Sequence, residues 1–213
     1  MVERVVPLRP GAHVLDLCCG HWRHLRLLRR MGYAALGVDL SREQIGRARR
    51  AAWGGPCPIA RADVRTLPFR AGFDAVISLD GSFGYFSDED NFRHLGETAR
   101  VLRRGGRLVL DLQNPARVVA VRPRRVLRDP VTGGRVVEEF QLDRGARRVY
   151  GRKELRLGDI CREYFFVLRY YEPPELVALL TAQGLEVKAV FGDYDLTAYS
   201  KSSPRLIVVA DKR

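Results

Sequence analysis

Three aspartates, Asp16, Asp39 and Asp63, recur at nearly equal spacing, each at or near the end of a short apolar run: HVLDLC, AALGVDL and IARAD. In an open α/β sheet, ligands bind in the crevice beyond the carboxyl ends of the strands. A carboxylate placed there accepts hydrogen bonds from a diol or an amino group, or faces a cation. Any one of the three alone fits a turn or helix cap; three in register point to a shared ligand. The loop after the first run is Asp16-Leu17-Cys18-Cys19-Gly20-His21-Trp22, with one glycine and a carboxylate at its mouth. A pyrophosphate needs a Gly-x-Gly-x-x-Gly loop with bare amides, and Asp16 would repel it.

The elements that must position these acids follow from periodicity. Short apolar runs alternate with amphipathic stretches, the pattern of a parallel sheet flanked by helices. Strands are expected at His13–Cys18, Ala34–Leu40, Ile59–Asp63, Phe73–Asp80 and Arg107–Leu112, with helices between them. Ser41 and Gln44 form a capping box for a helix to about Trp53; another helix runs from Ser87 to Leu102, stopped by Gly105-Gly106. The rhythm then changes. Residues 135–142, 147–157 and 160–170 have period-2 character and are split by Arg144-Gly145 and Gly158-Asp159, both hairpin signals. They read as an antiparallel meander within an insertion at about 118–170. Pro173 and Pro174 open a last helix to Gln183, and strands at 186–191 and 205–210 close the chain. The expected architecture is therefore α/β, a Rossmann-like, mostly parallel seven-stranded sheet in one domain spanning 1–213, with a small antiparallel insertion after the fifth strand. On this scaffold the three acids favour S-adenosylmethionine over a dinucleotide. Asp16 would help hold the ammonium, Asp39 both ribose hydroxyls, and Asp63 the adenine amino group.

The segments VLDLCCGHWRHL, GVDLS-x-x-QI-x-x-AR, RADVRTLPF, FDAVISLDGSFGYF and ETARVLRRGGRLVLDL resemble the successive motifs of class I S-adenosylmethionine-dependent methyltransferases over residues 12–113. YYEPPELVALLTAQGL and SPRLIVVADK are a weaker echo. The resemblance implies that Asp16, Cys18 and Gly20 border the methionine moiety and Asp39 the ribose, with Leu40 on the adenine face. It implies that Asp63 and the Val64 backbone read the adenine edge and that Leu79 and Asp80 line the cofactor. Ser82, Phe83 and Tyr85 would form the acceptor side, with Tyr199 from the last loop. The GSFGYF segment resembles the acceptor-shaping stretch of natural-product and sugar-amine methyltransferases; its aromatics fit a core role equally well. The family loop usually ends Gly-Thr-Gly, whereas this chain has Gly20-His21-Trp22. Trp22 must point into the sheet–helix interface or fill cofactor space. Twelve residues precede the first strand, fewer than the leading helices usual in such enzymes. A more open site, a meander acting as the lid and a shortened gene product are the three readings.

In-line methyl transfer asks the protein mainly for alignment. A general base is needed only for an acceptor that arrives protonated; Asp80 and Tyr85 are the first candidates, with Asp193, Tyr194 and Tyr199 behind them. Among the histidines, His94 is expected on a helix surface. Cys18, Cys19, His21 and His24 fit no metal-ligand spacing, and no metal is expected. Cys57 lies in Pro56-Cys57-Pro58, read as a loop cysteine, and the four cysteines read as reduced thiols.

A formal charge of +12 invites nucleic acid, yet the excess is arginine scattered in short doublets without interleaved aromatics, the mark of a solvated surface. LDGS after the fourth strand is also not the Asn/Asp-Pro-Pro-Tyr clamp for a flipped base. An apolar content of 46% supports one large core, and no apolar run approaches the roughly 20 residues of a membrane span. The opening MVERVVPLRPGAHV lacks a signal core. A cytoplasmic enzyme acting on a small-molecule acceptor is expected, with pairing of copies through the meander edges. The alternatives are an RNA-directed methyltransferase and a non-methylating binding module on the same fold.

Overall fold

The alternation of apolar runs and amphipathic stretches becomes an alternation of strands and helices in a computed structural model that describes residues 2–52 and 57–213. The elements are α1 (Val2–Val5), β1 (His13–Leu17), α2 (Arg23–Arg30), β2 (Ala34–Asp39), α3 (Arg42–Ala51), β3 (Ile59–Arg61), β4 (Phe73–Ser78), α4 (Asp88–Val101) and β5 (Leu102–Gln113). After these come α5 (Pro115–Val119), β6 (Arg124–Arg128), β7 (Arg135–Asp143), β8 (Arg148–Leu157), β9 (Ile160–Arg169), α6 (Pro173–Ala182), β10 (Leu185–Phe191) and β11 (Arg205–Lys212).

Seven strands form one sheet in the order β10-β11-β5-β4-β1-β2-β3. β1 to β5 run parallel; β11 pairs antiparallel with both β5 and the edge strand β10, so β10 runs in the direction of β1 to β5 and β11 against it. The order turns back between β1 and β4, so their carboxyl ends open the crevice that such sheets use for ligands. Successive residues of β1 face opposite sides. Leu15 and Leu17 join a core with Leu95 and Ala99 of α4 and Leu176 and Leu180 of α6. Val14 joins a second core with Leu25 and Leu28 of α2 and Ile45 and Ala48 of α3. Two buried faces explain why these strands read as nearly unbroken apolar runs.

The expected fold is present, with differences at element boundaries. α4 ends at Val101 and β5 begins at once with Leu102, which pairs with Phe73. Gly105-Gly106 therefore does not stop a helix; it lies in a register shift of the β4–β5 ladder between the Phe73 and Ala75 pairs. Ser41 caps α3 by accepting from the Gln44 amide at 3.2 Å, but the Gln44 side-chain oxygen has no partner, so only half of the capping box forms. Trp53 and Pro56, named in the sequence reading, lie outside the described residues. The second sheet has four strands, β6-β7-β8-β9, all antiparallel. Its first strand, RRVLR, is exposed throughout and carries no visible alternation.

Candidate active site

Five residues after β1 build the base of the crevice. Cys18 (φ 53°), Gly20 (φ 56°) and Trp22 (φ 81°) adopt left-handed backbone, folding the chain into a tight loop before α2. The Cys19 amide donates to the Val38 carbonyl at 3.0 Å, and the Gly20 amide to Asp39 Oδ2 at 2.9 Å. Asp39 Oδ1 accepts from the Ser41 amide at 2.8 Å. This close docking on β2 requires Gly37, because a Cβ there would sit 2.6 Å from Cys19 Sγ. Cys18 packs against the core on the α4 and α6 side, and Cys19 belongs to the core on the α2 and α3 side. Burial, then the charges of Asp39, Asp16 and Asp63, push the Cys18 thiol up to about 12, so it stays protonated. Trp22 is 9% exposed and packs in the core with Leu25 and Leu28; it does not fill the crevice.

A cavity of about 100 Å³ lies at the carboxyl ends of β1 and β4, bordered by Asp16, Cys18, Gly20, His21, Leu79 and Asp80 among others. Asp16 is 1% exposed, and its Oδ2 has no hydrogen-bond partner. Burial, reinforced by the charges of Asp39 and Asp80, pushes its carboxyl up to about 8. A buried carboxylate without a partner is costly, and a cation entering the cavity would relieve that cost. Leu40, just past β2, is 52% exposed and offers an apolar face beside the loop.

The β4 turn is held from β5. The Asp80 amide (φ 59°) donates to Asp111 Oδ2 at 2.9 Å, and the Gly81 amide to the Asp111 carbonyl at 3.0 Å. Asp111 is fully buried, ion-paired with Arg205, and accepts from the Tyr194 hydroxyl at 2.9 Å. The Asp80 carboxylate pairs with Arg23, lies 3.9 Å from His24 Nε2, and meets the Tyr194 hydroxyl at 3.4 Å. Asp80, Arg23 and Tyr194 thus form one cluster at the mouth. Asp111 sits at a strand end in RLVLDL just as Asp16 does in HVLDLC, so the signal that marked the first three acids was present for it too. Arg23 and Arg205 carried no such signal.

Not every expected site residue reaches the crevice. Asp63 is bound by Arg65 at 2.7 Å, and these hydrogen bonds hold its carboxyl below the usual range. Arg65 also donates to Asp90 at 2.6 Å and lies over the Phe86 ring, while Val64 is buried in the core. Ser82 closes the β4 turn by donating to the Leu79 carbonyl at 2.9 Å and borders the small cavity. Phe83 is 1% exposed and packs on His94 and Tyr171, each ring 5.3 Å away. Expected on a helix surface, His94 is instead buried, because its position on α4 faces Phe83 and Phe86; burial pulls it down to about 4. Tyr199 donates to Asn114 Oδ1 at 3.0 Å and packs against the core.

Tyr85 alone of the GSFGYF aromatics opens onto two sizeable cavities. One, of about 780 Å³, is lined by Tyr85, Tyr150, Arg152 and Phe165; the other, of about 380 Å³, by Tyr85, Gln113, Arg117, Lys153 and Phe166. Both lie against the meander. The meander is joined to the β4 turn through Gly84, whose carbonyl accepts from the Arg169 amide at 2.8 Å at the end of β9.

Residues 14–106 match the family model described as a methyltransferase domain. That segment resembles a methyltransferase domain, and it spans β1 to the first part of β5. The chain is 33% identical over 103 residues to a probable tRNA methyltransferase 9B of Mus musculus, covering 48% of this chain and 22% of that protein. It is 31% identical over 112 residues to the 27-O-demethylrifamycin SV methyltransferase of Amycolatopsis mediterranei, covering 50% and 40%. The match thus spans well under half of the curated relatives' length. Among solved structures, the CcbJ methyltransferase of Streptomyces caelestis superposes with a TM-score of 0.86 at 20% identity, covering 99% of this chain and 86% of that one. The sugar N-methyltransferase KedS8 of Streptoalloteichus superposes at 0.71 with 25% identity, covering 100% and 83%. These superpositions span the meander as well as the domain that the family model matches.

Proposed function

We propose that the chain transfers a methyl group from S-adenosylmethionine to a nitrogen, oxygen or carbon of a small molecule, working as one unit over residues 1–213. The observation that carries this is Asp16, a buried residue in the wall of a small cavity between β1 and β4 whose carboxylate has an unpartnered oxygen. The cofactor's ammonium satisfies it. Asp39, fixed by the Gly20 and Ser41 amides, keeps lone pairs for the ribose hydroxyls. Exposed Leu40 is a face for the adenine. The cavity at Asp16 has room for roughly three waters at about 30 Å³ each, so it takes the methionine end and the nucleoside lies in the open crevice beside Leu40. When bound, the cofactor supplies an electrophilic methyl group on a sulfonium.

The chain's own residues then align an acceptor and handle its proton. Tyr85 borders the cavities where an acceptor would lie. Asp80 stands at the crevice mouth as the base, and its pairing with Arg23 and Tyr194 sets its orientation. The two cavities at Tyr85, of the size usual for small-molecule sites, and the sugar and rifamycin methyltransferases among the similar proteins support a small acceptor over RNA. Cytoplasmic placement accords with four free cysteines, and among the described residues no helix is long and apolar enough to cross a membrane. We further infer a homodimer through the meander, whose outer strands β6 and β9 leave unpaired edges and whose Ile160 and Phe165 are exposed. The test of activity is formation of S-adenosylhomocysteine on incubation with panels of amino sugars, phenols and tRNA. Turnover with a small molecule supports the proposal; turnover with tRNA alone overturns it.

A further inference from the structure

Resting on the methyltransferase reading above, we propose that the acceptor carries an anionic group, a carboxylate or a phosphate, bound in the 380 Å³ cavity between β5–α5 and the meander. The register places Arg125, Glu138 and Lys153 side by side on one face of the second sheet. Glu138, its side chain 3% exposed, meets Lys153 at 2.7 Å with one oxygen and Arg125 with the other. One carboxylate thus faces two cations. The third cation is Arg117, which donates to the carbonyls of Ser203 at 2.9 Å and Ser202 at 3.2 Å. Among the described residues no carboxylate pairs with it. Carbonyl oxygens satisfy its N–H groups without neutralising its charge, so the cavity holds three cations against one anion.

The neighbouring 780 Å³ cavity differs. Its Arg124 and Arg152 are both met by Glu139, and Arg152 also by Glu163. Position favours the smaller cavity as well. Gln113, in its wall, has its Cγ 3.6 Å from where a Cβ on Gly81 would stand, so the cavity adjoins the Asp80–Gly81 turn. Phe140 and Phe166 wall its other side, 6.4 Å apart. The occupant is therefore a ring or apolar body with a negative group directed at Arg117.

Ligand-observed NMR in about 0.15 M salt tests this on the intact protein, with S-adenosylhomocysteine titrated in the same sample. The probes are 3-phenylpropanoate, phenyl phosphate, neutral 3-phenylpropanamide and 3-phenylpropylammonium. An anionic probe binds about tenfold tighter than the amide, Arg117→Gln removes at least about fivefold of that preference, and Arg124→Gln leaves it within about twofold. The tighter of the two anions names the group. Equal binding of amide or ammonium, or an unchanged preference in Arg117→Gln, overturns the proposal. The probe series on the unmutated chain decides the question even if the variant fails to fold. S-Adenosylhomocysteine binding without an anion preference removes this inference alone. An Arg117-dependent anion preference without S-adenosylhomocysteine binding removes the methyltransferase reading instead.

Discussion

Asp16 combines a cost to the fold with a proposed role in binding. Its carboxyl titrates at about 8 in the folded protein against 3.8 in an unperturbed chain, with burial the main cause. The folded state therefore holds a proton that the unfolded state has released, and the unliganded protein loses stability as pH rises from about 4 through about 8. Asp16→Asn removes the titration while keeping the shape. Each pKa unit is worth about 1.4 kcal/mol, and each kcal/mol moves the melting temperature of a domain this size by about 2–4 °C. The unliganded variant is expected to melt at least about 3 °C above the parent at pH 8.5 and level with it near pH 4. Cofactor affinity should fall by more than about tenfold in the same variant. Scanning calorimetry across pH checks the first, isothermal titration the second. Asp16 and Asp39 were legible because a polar residue closing an apolar strand stands out against its run. Asp63 was legible by the same rule, yet Arg65, two residues on, engages its carboxylate, and strand position alone does not reveal that partner. The Tyr194–Asp111 contact joins residues far apart in the chain and left no local trace.

At the scale of elements, the coupling between crevice and meander runs through Gly84. Its φ is 105°, and a Cβ would come within 2.4 Å of the Arg169 carbonyl oxygen. Only glycine permits the β4 turn to lie against the end of β9, so Gly84→Ala must break the Gly84–Arg169 bond or strain both strands. A loss of about 2–3 kcal/mol in unfolding free energy is expected by denaturant titration. Turnover should drop with the displaced Tyr85, while S-adenosylhomocysteine binding, which rests on β1 and β2, stays within about threefold. The alternating elements of the parallel sheet were readable because each strand is buried on both faces and each helix on one. β6 was not, because its arginine-rich, fully exposed sequence offers no contrast between faces. α5 was missed for a related reason: five residues opened by Pro115 and capped by Asn114 are too short to show a period.

Across the molecule, the charge of +12 does not gather into a bare basic face at the crevice. Arg23, Arg65 and Arg205 around it are each engaged by aspartates, and Arg169 at the foot of β9 pairs with Asp88 and Glu175. Among the described residues, arginines without a carboxylate partner are scattered, on α2 and α3 as well as at Arg117 beside the proposed acceptor cavity. The exposed apolar residues of the meander underlie the proposed dimer; light scattering at micromolar concentration should return twice the 24.1 kDa of one chain, and a value near 24.1 kDa would remove that part of the account. The central claim is that a cationic adenosyl ligand occupies the crevice against Asp16 and Asp39. Calorimetric titration with S-adenosylmethionine tests it most directly. The account predicts one site per chain with micromolar affinity, at least about tenfold weaker at pH 6 than at pH 8 and lost in Asp39→Ala. Absence of binding at either pH, or equal binding by the parent and Asp39→Ala, would contradict it.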